Sequence, residues 1–322
     1  MTNIVNSYTN TEELIQKFPV EHPTYVADGI GKNIQNRLLT GFENWNRGFD
    51  AWKAWGDILY TPESIYNVHG ARLTLAEYQA AMNVTLKQVN IQMGAFHDMI
   101  ICDDWTAIRY DITTIAGGHE IPGSVMEFVQ FKDYGGELGT RVVEGWGAPK
   151  DDGYKGMSMF RGAQSTAIQE KQFEELLRYQ IPETDDLAQK YPVLHPTTAH
   201  SALAEEIRTA LLQNFEAWNQ GFATWNAWTD RNCAADFQST TPDDKILTLS
   251  EYKAVMQKLM ETENVQRLYF DSMLISGEWA AIHYRTVSRD PETDERIPGD
   301  RMQFLRFAKI SDGVKVTACW TK

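Results

Sequence analysis

Cysteine is scarce in this sequence and follows no recognisable spacing. Cys102, Cys233 and Cys319 are the three cysteines of a chain of 322 residues, and none of them belongs to a CxxC pair. A disulfide framework needs an even set of cysteines, and a zinc site needs closely spaced ones, so neither is expected. We predict that all three are buried thiols.

Long apolar runs and clusters of basic residues are also missing. No stretch approaches the roughly 20 apolar residues that cross a bilayer, and the start of the chain lacks the basic and apolar regions of a signal peptide. The net charge of −14 repels phosphate backbones and anionic lipids. We therefore expect a cytoplasmic protein whose partners include neither nucleic acid nor membrane.

Composition and length indicate a folded protein with more than one domain. Hydrophobic residues make up 43% and charged residues 23% of the sequence, which is ordinary for a globular protein. A chain of 322 residues is longer than the roughly 250 to 300 residues at which single cores stop growing. Two domains are therefore expected.

An internal repeat divides the chain. The segment FENWNRGFDAWKAWGD, starting at Phe42, aligns without a gap to FEAWNQGFATWNAWTD, starting at Phe215, with ten of sixteen residues identical. All ten tryptophans fall into matched pairs about 174 residues apart. We infer a tandem duplication, with a first domain at 10–162, a linker helix at 163–181 and a second domain at 182–322.

Each copy begins with helices. Apolar residues recur at spacings of three and four from Ile34 to Trp52, and again from Ile207 to Trp225, which lines one face of a helix. A glycine interrupts each pattern, Gly48 in the first copy. Because glycine inside a helix costs about 1 kcal/mol relative to alanine, we predict a corner between a long and a short helix.

A third helix and then strands complete each copy. Thr74 with Glu77, and Thr248 with Glu251, are capping boxes that begin the third helix. Runs of β-branched and aromatic residues then predict four strands per copy. In the first copy these runs lie at 99–101, 105–115, 125–131 and 141–146. Helices followed by antiparallel strands indicate the α+β class.

Short motifs occur in the same order in both copies. The first copy has WNRGF at the end of the long helix, Asp104 before Trp105 at the start of a strand, IPG from Ile121, and a last strand closing on Trp146. In this order and spacing the sequence resembles the SnoaL-like branch of the nuclear transport factor two-like superfamily. The resemblance covers nearly the whole chain, twice.

This resemblance implies two tandem cone-shaped α+β barrels, each with three N-terminal helices packed on a curved antiparallel sheet around an apolar pocket. The superfamily includes polyketide cyclases, ketosteroid isomerase and limonene epoxide hydrolase, which use neither a metal nor an organic cofactor. The resemblance therefore implies a small hydrophobic molecule as partner, with no cofactor and no metal. Because members usually dimerise through their sheets, the two repeats are expected to form a pseudo-dimer within one chain.

Three residues of the first copy are candidates for catalysis. Arg109 and Asp111 lie two apart on a predicted strand and so share a face. Their Arg-x-Asp pattern resembles limonene epoxide hydrolase, although Ala148 stands where that family carries a further aspartate. His69 lies near the position of the general base in ketosteroid isomerase, and imidazole suits proton abstraction at neutral pH. The alternative interpretation of Arg109 and Asp111 is a surface ion pair.

Ligand contacts are expected from aromatic and polar positions of the pocket. His97 and Asp98 are adjacent on a predicted strand and should face opposite sides, so at most one enters the pocket. Polar positions change between the copies, since Glu127 is matched by Gln303. The candidate ligand-binding residues are Trp45, Trp52, Tyr60, Tyr66, His97, Glu127, Trp146, His283 and Gln303.

Three functions are open on the sequence alone. The first is a cofactor-independent cyclase or isomerase that abstracts a proton next to the carbonyl of a hydrophobic ketone, with His69 or Asp111 as base and Arg109 as its electrostatic partner. The second is a non-catalytic protein that binds a small molecule or a partner. The third is an epoxide hydrolase. The first copy is favoured as the working site because it carries more ionisable candidates.

Overall fold

The structure of the chain is a computed structural model. It describes residues 11–25, 30–68, 71–136, 139–149, 174–198, 201–290 and 292–322. The chain divides into two compact units, Met1–Gln169 and Glu170–Lys322, here called unit 1 and unit 2.

Unit 1 contains four helices and seven strands in its described part. The helices are α1 (Thr11–Lys17), α2 (Ile30–Asn46), α3 (Phe49–Leu59) and α4 (Leu75–Leu86). The strands are β1 (Val20–Tyr25), β2 (Tyr60–Val68), β3 (Ala71–Thr74), β4 (Asn90–Cys102), β5 (Trp105–Ala116), β6 (His119–Asp133) and β7 (Thr140–Pro149).

Unit 2 repeats this order of elements. Its helices are α5 (Leu187–Lys190), α6 (Ala202–Asn219), α7 (Phe222–Asn232) and α8 (Leu249–Glu263). Its strands are β8 (Val193–Thr198), β9 (Cys233–Thr240), β10 (Ile246–Thr248), β11 (Gln266–Ser276), β12 (Trp279–Arg289), β13 (Arg296–Ile310) and β14 (Gly313–Thr321). Both units are therefore α+β, as predicted.

Each unit forms one seven-stranded sheet with the same strand order. The order is β1-β4-β5-β6-β7-β2-β3 in unit 1 and β8-β11-β12-β13-β14-β9-β10 in unit 2. The four predicted strands of each copy are central and antiparallel. The antiparallel arrangement holds for the four predicted strands but not for the additional ones, because β1 runs parallel to β4 and β2 runs parallel to β7. Parallel pairing needs long crossovers, and strand direction is not visible in a short apolar run.

The corner between the long and the short helix is confirmed. Helix α2 ends at Asn46, α3 begins at Phe49, and Gly48 caps α3 with φ 106°. Gly221 takes φ 96° at the matching corner of unit 2. Glycine enters this region because it has no Cβ to clash with the backbone.

The helix count is corrected by one in each unit. The short helices α1 and α5 precede the entry strands, and their few residues carry no repeated apolar pattern for a sequence analysis to find. The predicted linker helix is described only in part: residues 174–178 are helical, and 163–173 lie outside the described residues.

Both capping boxes are confirmed. Thr74 accepts a hydrogen bond from the Glu77 backbone N–H, and the Glu77 carboxylate accepts one from the Thr74 backbone N–H at 2.8 Å. Thr248 and Glu251 form the same pair at the start of α8. These bonds satisfy amides that a helix start leaves unpaired.

The core of each unit lies between its long helix and one face of its sheet, here called the inner face. In unit 1, Phe42 of α2 stacks on Phe96 of β4 with ring centroids 4.1 Å apart. In unit 2, Phe215 stacks on Phe270 at 3.9 Å. The opposite side of each sheet is called the outer face. Because successive strand residues alternate between faces, this contact fixes which side chains face the helices.

The three cysteines are free and buried, as predicted. Among the described residues, no helix is both long enough and apolar enough to cross a membrane.

Candidate functional site

Unit 1 encloses a cavity of about 100 Å³ between its helices and the inner face of its sheet. Aromatic and aliphatic side chains make most of its wall. Of the described residues that line it, Glu127 is the only one with an acidic or basic side chain of the Asp, Glu, Lys, Arg or His type. Five predicted ligand-binding residues lie in the wall: Trp45, Trp52, Tyr60, Tyr66 and Glu127.

Glu127 points into the cavity because of its register in β6. It lies between Val125 and Val129, which belong to the hydrophobic core, and pairs with the core residue Ile108 of β5. Its Oε1 accepts two hydrogen bonds, one from the Tyr66 hydroxyl at 2.6 Å and one from the Tyr110 hydroxyl at 2.8 Å. The carboxyl group is thus held from both sides of β6, by Tyr110 of β5 and Tyr66 of β2.

The surroundings raise the pKa of Glu127. Burial in the aromatic cavity is the largest cause, and the hydrogen bonds from Tyr66 and Tyr110 oppose it without cancelling it. Burial and then the charge of Glu127 raise the pKa of both tyrosines well above 10.0, so they remain hydrogen-bond donors. A carboxyl group with a raised pKa takes up and releases protons closer to neutral pH than an exposed one.

A third tyrosine offers a hydroxyl to the cavity. Burial, followed by the charge of Glu127, raises the pKa of Tyr60. The Tyr60 hydroxyl makes no hydrogen bond within the described part of the chain. A further tyrosine of the wall, Tyr78, stacks its ring on that of Tyr66 with centroids 4.4 Å apart. Tyr60 is therefore a donor available to a ligand oxygen.

The raised pKa of Glu127 predicts a pH-dependent stability. Folded unit 1 keeps this proton at pH values where the unfolded chain has released it, so stability falls as the pH rises from 4.5 to the folded pKa. Glu127→Gln has no group to titrate there. We expect the variant to gain stability relative to the wild type across this window, by at most about 1.4 kcal/mol per pH unit. Urea unfolding of both proteins across this window measures the difference in their free energies of unfolding. A difference that does not change with pH would contradict the prediction.

Two glycines of β7 make room for Tyr66. A Cβ added to Gly147 would lie 2.7 Å from the Tyr66 hydroxyl oxygen, and one added to Gly145 would lie 2.7 Å from its ring. In unit 2 the position paired like Gly145 is Cys319, and it faces the smaller Ser239. The absence of a side chain at these glycines thus accompanies the large ring that reaches Glu127.

Gly147→Ala is expected to break the Tyr66–Glu127 hydrogen bond. The added methyl group must displace the hydroxyl, and overpacking of this kind costs about 1 to 3 kcal/mol. Losing a donor also raises the pKa of Glu127 further, because the Tyr66 bond holds it down. Carbon-13 NMR of the Glu127 carboxyl checks the pKa, with Tyr66→Phe as a control that removes the hydroxyl without adding bulk. An unchanged titration in Gly147→Ala would count against this packing argument.

Arg109 and Asp111 lie on the outer face of the sheet. The residue between them, Tyr110, lines the cavity, so the alternation of β5 turns both charged side chains away from it. Arg109 Nε binds Asp98 Oδ2 at 2.6 Å, and Asp111 Oδ1 lies 2.9 Å from His97 Nε2. His69, the third catalytic candidate, lies outside the described residues.

The expectation that His97 and Asp98 face opposite sides is wrong. The pairing of β4 with β5 shifts register between Phe96 and Asp98, which is a β-bulge. An extra residue in a strand resets its alternation, so both side chains reach the outer face, where they contact Asp111 and Arg109. His97 also binds Glu21 at 2.9 Å through Nδ1.

These outer-face contacts shift the titration of the groups they join. Burial lowers the pKa of His97, but its hydrogen bonds to Glu21 and Asp111 outweigh burial and leave the pKa above 6.5. Burial raises the pKa of Asp98 despite the opposing charge of Arg109. The residues form a linked charge network, separate from the cavity wall.

The remaining ligand-binding candidates, Trp146, His283 and Gln303, lie at three separate places. Trp146 pairs with Phe128 across β6 and β7 and stacks on Trp105 with centroids 5.3 Å apart, away from the cavity-lining residues. His283 of unit 2 is buried, with Nε2 3.0 Å from Asp300 Oδ2. Gln303 lines a smaller cavity of unit 2, of about 30 Å³.

Sequence reasoning missed the central position of Tyr110. Its signal was available, since Tyr110 alternates in phase with the apolar Ile108 and Ile112, whereas Arg109 and Asp111 alternate with the opposite face. Among the described residues, no three or more His, Cys, Asp or Glu side chains are placed to hold a metal ion.

Comparison with known proteins gives structural likeness only. No protein-family model matches the chain, and no curated protein sequence matches it. Solved structures with a similar fold include a protein named provisionally as a SnoaL-like polyketide cyclase, a ketosteroid isomerase-like protein, and a nuclear transport factor two-like protein of unknown function.

Three of these structures cover 38% of this chain each. A protein from Jannaschia sp. CCS1, named provisionally as a SnoaL-like polyketide cyclase, is 13% identical over 89% of its own length, with a TM-score of 0.34. A ketosteroid isomerase-like protein from Erwinia carotovora atroseptica is 17% identical over 96% of its length, with a TM-score of 0.31. AclR from Streptomyces galilaeus, named provisionally as a hydroxylase, is 17% identical over 79% of its length, with a TM-score of 0.32. We draw no functional conclusion from likenesses of this degree.

Proposed function

We propose that unit 1 binds a small, mostly apolar ketone in its cavity and moves a proton next to the carbonyl group, with Glu127 as the base. The observation that carries the proposal is the position of Glu127, a single carboxyl group in an otherwise uncharged wall, held by Tyr66 and Tyr110. Proton transfer by a positioned carboxyl group in a dry pocket is established chemistry for enzymes without a cofactor.

The reaction needs a base and a donor for the oxygen. Ionised Glu127 takes a proton from the carbon next to the carbonyl, and the electron pair of that C–H bond moves to the oxygen to form an enolate. The free hydroxyl of Tyr60 is placed to donate a hydrogen bond to this oxygen. Protonated Glu127 then returns the proton to a different carbon, which completes an isomerisation. A raised pKa makes Glu127 a stronger base than an exposed carboxylate.

The size of the cavity limits the ligand. An engineered cavity of about 150 Å³ lined by apolar side chains binds benzene in another protein. The cavity of unit 1, at about 100 Å³, therefore suits a ligand of about one six-membered ring. Trp45 and Trp52 would contact its faces, since aromatic side chains pack well on flat rings.

This assignment gives no catalytic role to His69, Arg109 or Asp111, the candidates that the sequence suggests. Asp111 and Arg109 are on the outer face, engaged with His97 and Asp98, and the proposal uses neither. The same placement gives no support to an epoxide hydrolase in this cavity. A non-catalytic binding protein would use the same cavity wall and would release its ligand unchanged.

Isomerisation of cyclohex-3-enone tests the proposal. We expect the protein to accelerate its conversion to the conjugated cyclohex-2-enone, with deuterium uptake when the reaction runs in deuterium oxide, both followed by proton NMR. The rate should fall as the pH drops through the Glu127 pKa, because only the carboxylate is a base. Binding of the ketone without acceleration would favour a non-catalytic binding protein. The absence of both binding and acceleration would refute the proposal.

We also propose that the two units descend from one duplicated domain and associate through their sheets as a pseudo-dimer within the chain. Each outer face carries apolar side chains at matched positions, most of them large, and an apolar sheet face has to be covered by another element. They are Trp105, Ala107, Met126, Phe128 and Trp146 in unit 1, and Trp279, Ala281, Met302, Phe304 and Trp320 in unit 2.

A pseudo-dimer predicts a monomeric chain in solution. If the two outer faces cover each other, no apolar face is left to recruit a second chain, and sedimentation equilibrium should give the chain mass of 36.7 kDa. A stable dimer of chains that dissociates when Trp105 is replaced by aspartate would show that the faces pair between chains instead.

A further inference from the structure

The cavity of unit 2 contains a buried arginine. Arg267 of β11 is only 4% exposed, and it lines the cavity of about 30 Å³ together with Tyr252, Gln303 and Cys319. We propose that this cavity is a binding site for a small carboxylate anion, with Arg267 as the group that recognises it. The proposal concerns unit 2 alone and does not depend on the function proposed for unit 1.

Aromatic rings and one amide hold Arg267 in place. Its guanidinium carbon lies 4.0 Å from the centroid of the Trp218 ring and 5.4 Å from that of Tyr284. Nη1 donates to the Asn214 side-chain oxygen. The Trp218 indole is itself anchored by a hydrogen bond to the Val265 carbonyl at 2.7 Å. The guanidinium is therefore positioned before any ligand arrives.

Arg267 has no acidic partner among the described residues. A guanidinium carries five N–H donors, and the structure pairs its side chain in one hydrogen bond, to Asn214. A buried charge without a counter-charge costs several kcal/mol, even when part of the cost is offset by aromatic rings. Of the described residues that line this cavity, Arg267 is the only charged one. An anion bound there would supply the missing counter-charge.

The two units place opposite charges in matched cavities. The Asn46 side-chain amide donates to the Met93 carbonyl, and the matching Asn219 amide donates to the Arg267 carbonyl, so Arg267 occupies the position of Met93 in unit 1. The register of the central strands likewise shows that Gln303 occupies the position of Glu127. A glutamate at 303 would give Arg267 an internal partner, and unit 2 has an uncharged amide instead. Unit 1 thus offers an acid without a cation, and unit 2 a cation without an acid.

The size of the cavity sets the class of ligand. About 30 Å³ of free space holds about two or three water molecules, which is room for a carboxylate with a very short apolar tail. Arginine favours carboxylates because its planar fork of donors matches their two oxygens. Acetate is therefore the probe, and acetamide is its uncharged counterpart of nearly the same shape.

Saturation-transfer NMR on the full chain tests the site. Acetate and acetamide are titrated separately at constant ionic strength in a buffer without chloride. We expect acetate to bind, and acetamide to bind at least about tenfold more weakly, because only the anion satisfies the charge of Arg267. Arg267→Met, which introduces the unit 1 residue, should weaken acetate binding at least about tenfold.

Two further variants keep the test decisive. Gln303→Glu leaves Arg267 in place but adds a carboxylate to the same cavity, and it should exclude acetate while preserving the fold. Arg289→Gln removes an exposed arginine paired with Asp294 and should bind acetate like the wild type. The proposal is overturned if the wild type does not bind acetate, if acetamide binds equally well, or if Gln303→Glu retains the wild-type affinity. Should Arg267→Met fail to fold, Gln303→Glu alone decides.

Discussion

Glu127→Gln is expected to lower the rate of cyclohex-3-enone isomerisation by at least about 100-fold, the lower end of what a general base contributes. The amide matches the carboxyl group in shape and still accepts hydrogen bonds from Tyr66 and Tyr110, so the cavity wall should remain intact. It cannot take a proton from carbon. The loss should therefore appear in kcat, with a smaller change in KM. Initial rates measured by NMR over a range of ketone concentrations separate the two.

Two variants control this result. Glu127→Asp keeps the base but withdraws it from the ligand by one methylene, so an intermediate rate is expected. Glu120→Gln removes an exposed carboxylate from the same strand, far from the cavity wall, and should leave the rate unchanged. A Glu127→Gln variant as active as the wild type would remove Glu127 from the chemistry.

Phe96→Ala is expected to destabilise unit 1 by about 3 to 5 kcal/mol, the usual cost of deleting a buried phenyl ring. Phe96 is fully buried and stacks on Phe42 of the long helix at 4.1 Å, so its loss leaves a void between helix and sheet. Phe270→Ala makes the same change in unit 2, where Phe270 stacks on Phe215 at 3.9 Å. Because each ring belongs to the core of its own unit, each variant should lower the midpoint of a different unfolding transition.

Urea unfolding followed by tryptophan fluorescence and calorimetry measures these shifts. Val84→Ala is the control, because Val84 is 45% exposed and its truncation should cost well below 1 kcal/mol. If Phe96→Ala shifted both transitions equally, the two cores would unfold as one cooperative body, and the expectation that each core unfolds separately would be wrong.

Local features of the fold could be predicted from the sequence because local residues cause them. The corner at Gly48 follows from one glycine in a helical pattern, and the capping boxes follow from Thr74 and Thr248 with a glutamate three residues on. The β-bulge beside Phe96 could not be predicted, since it depends on how β4 pairs with a strand distant in sequence. The error in the face of His97 follows from that bulge.

The candidate site was predictable in its aromatic wall but not in its chemistry. Trp45, Trp52 and Tyr66 were selected for the pocket and line it. The catalytic candidates were selected by residue type and resemblance, which favoured Arg109 and Asp111, whereas alternation within β5 assigns the cavity to Tyr110. Glu127 was named only as a ligand contact. Its importance depends on burial and on two tyrosines from other strands, which only the folded chain brings together.

The difference in charge between the two cavities also becomes apparent only in the folded chain. Met93 and Arg267 do not look alike in sequence, and neither do Gly41 and Asn214, yet each pair holds the same place in its unit. The aromatic side chains that build the cavity are retained in both units, and the polar ones that choose a ligand differ.

The most direct test of the account is carbon-13 NMR of protein labelled at the glutamate carboxyl carbons, titrated with and without phenol, a flat ring that resembles the enol of the test ketone. We predict that Glu127 gives a resonance with a titration midpoint above 4.5, which disappears in Glu127→Gln and shifts when phenol binds. If no glutamate titrates with a raised pKa, or if phenol leaves this resonance unmoved, then Glu127 does not meet a ligand in the cavity, and the function proposed for unit 1 is wrong.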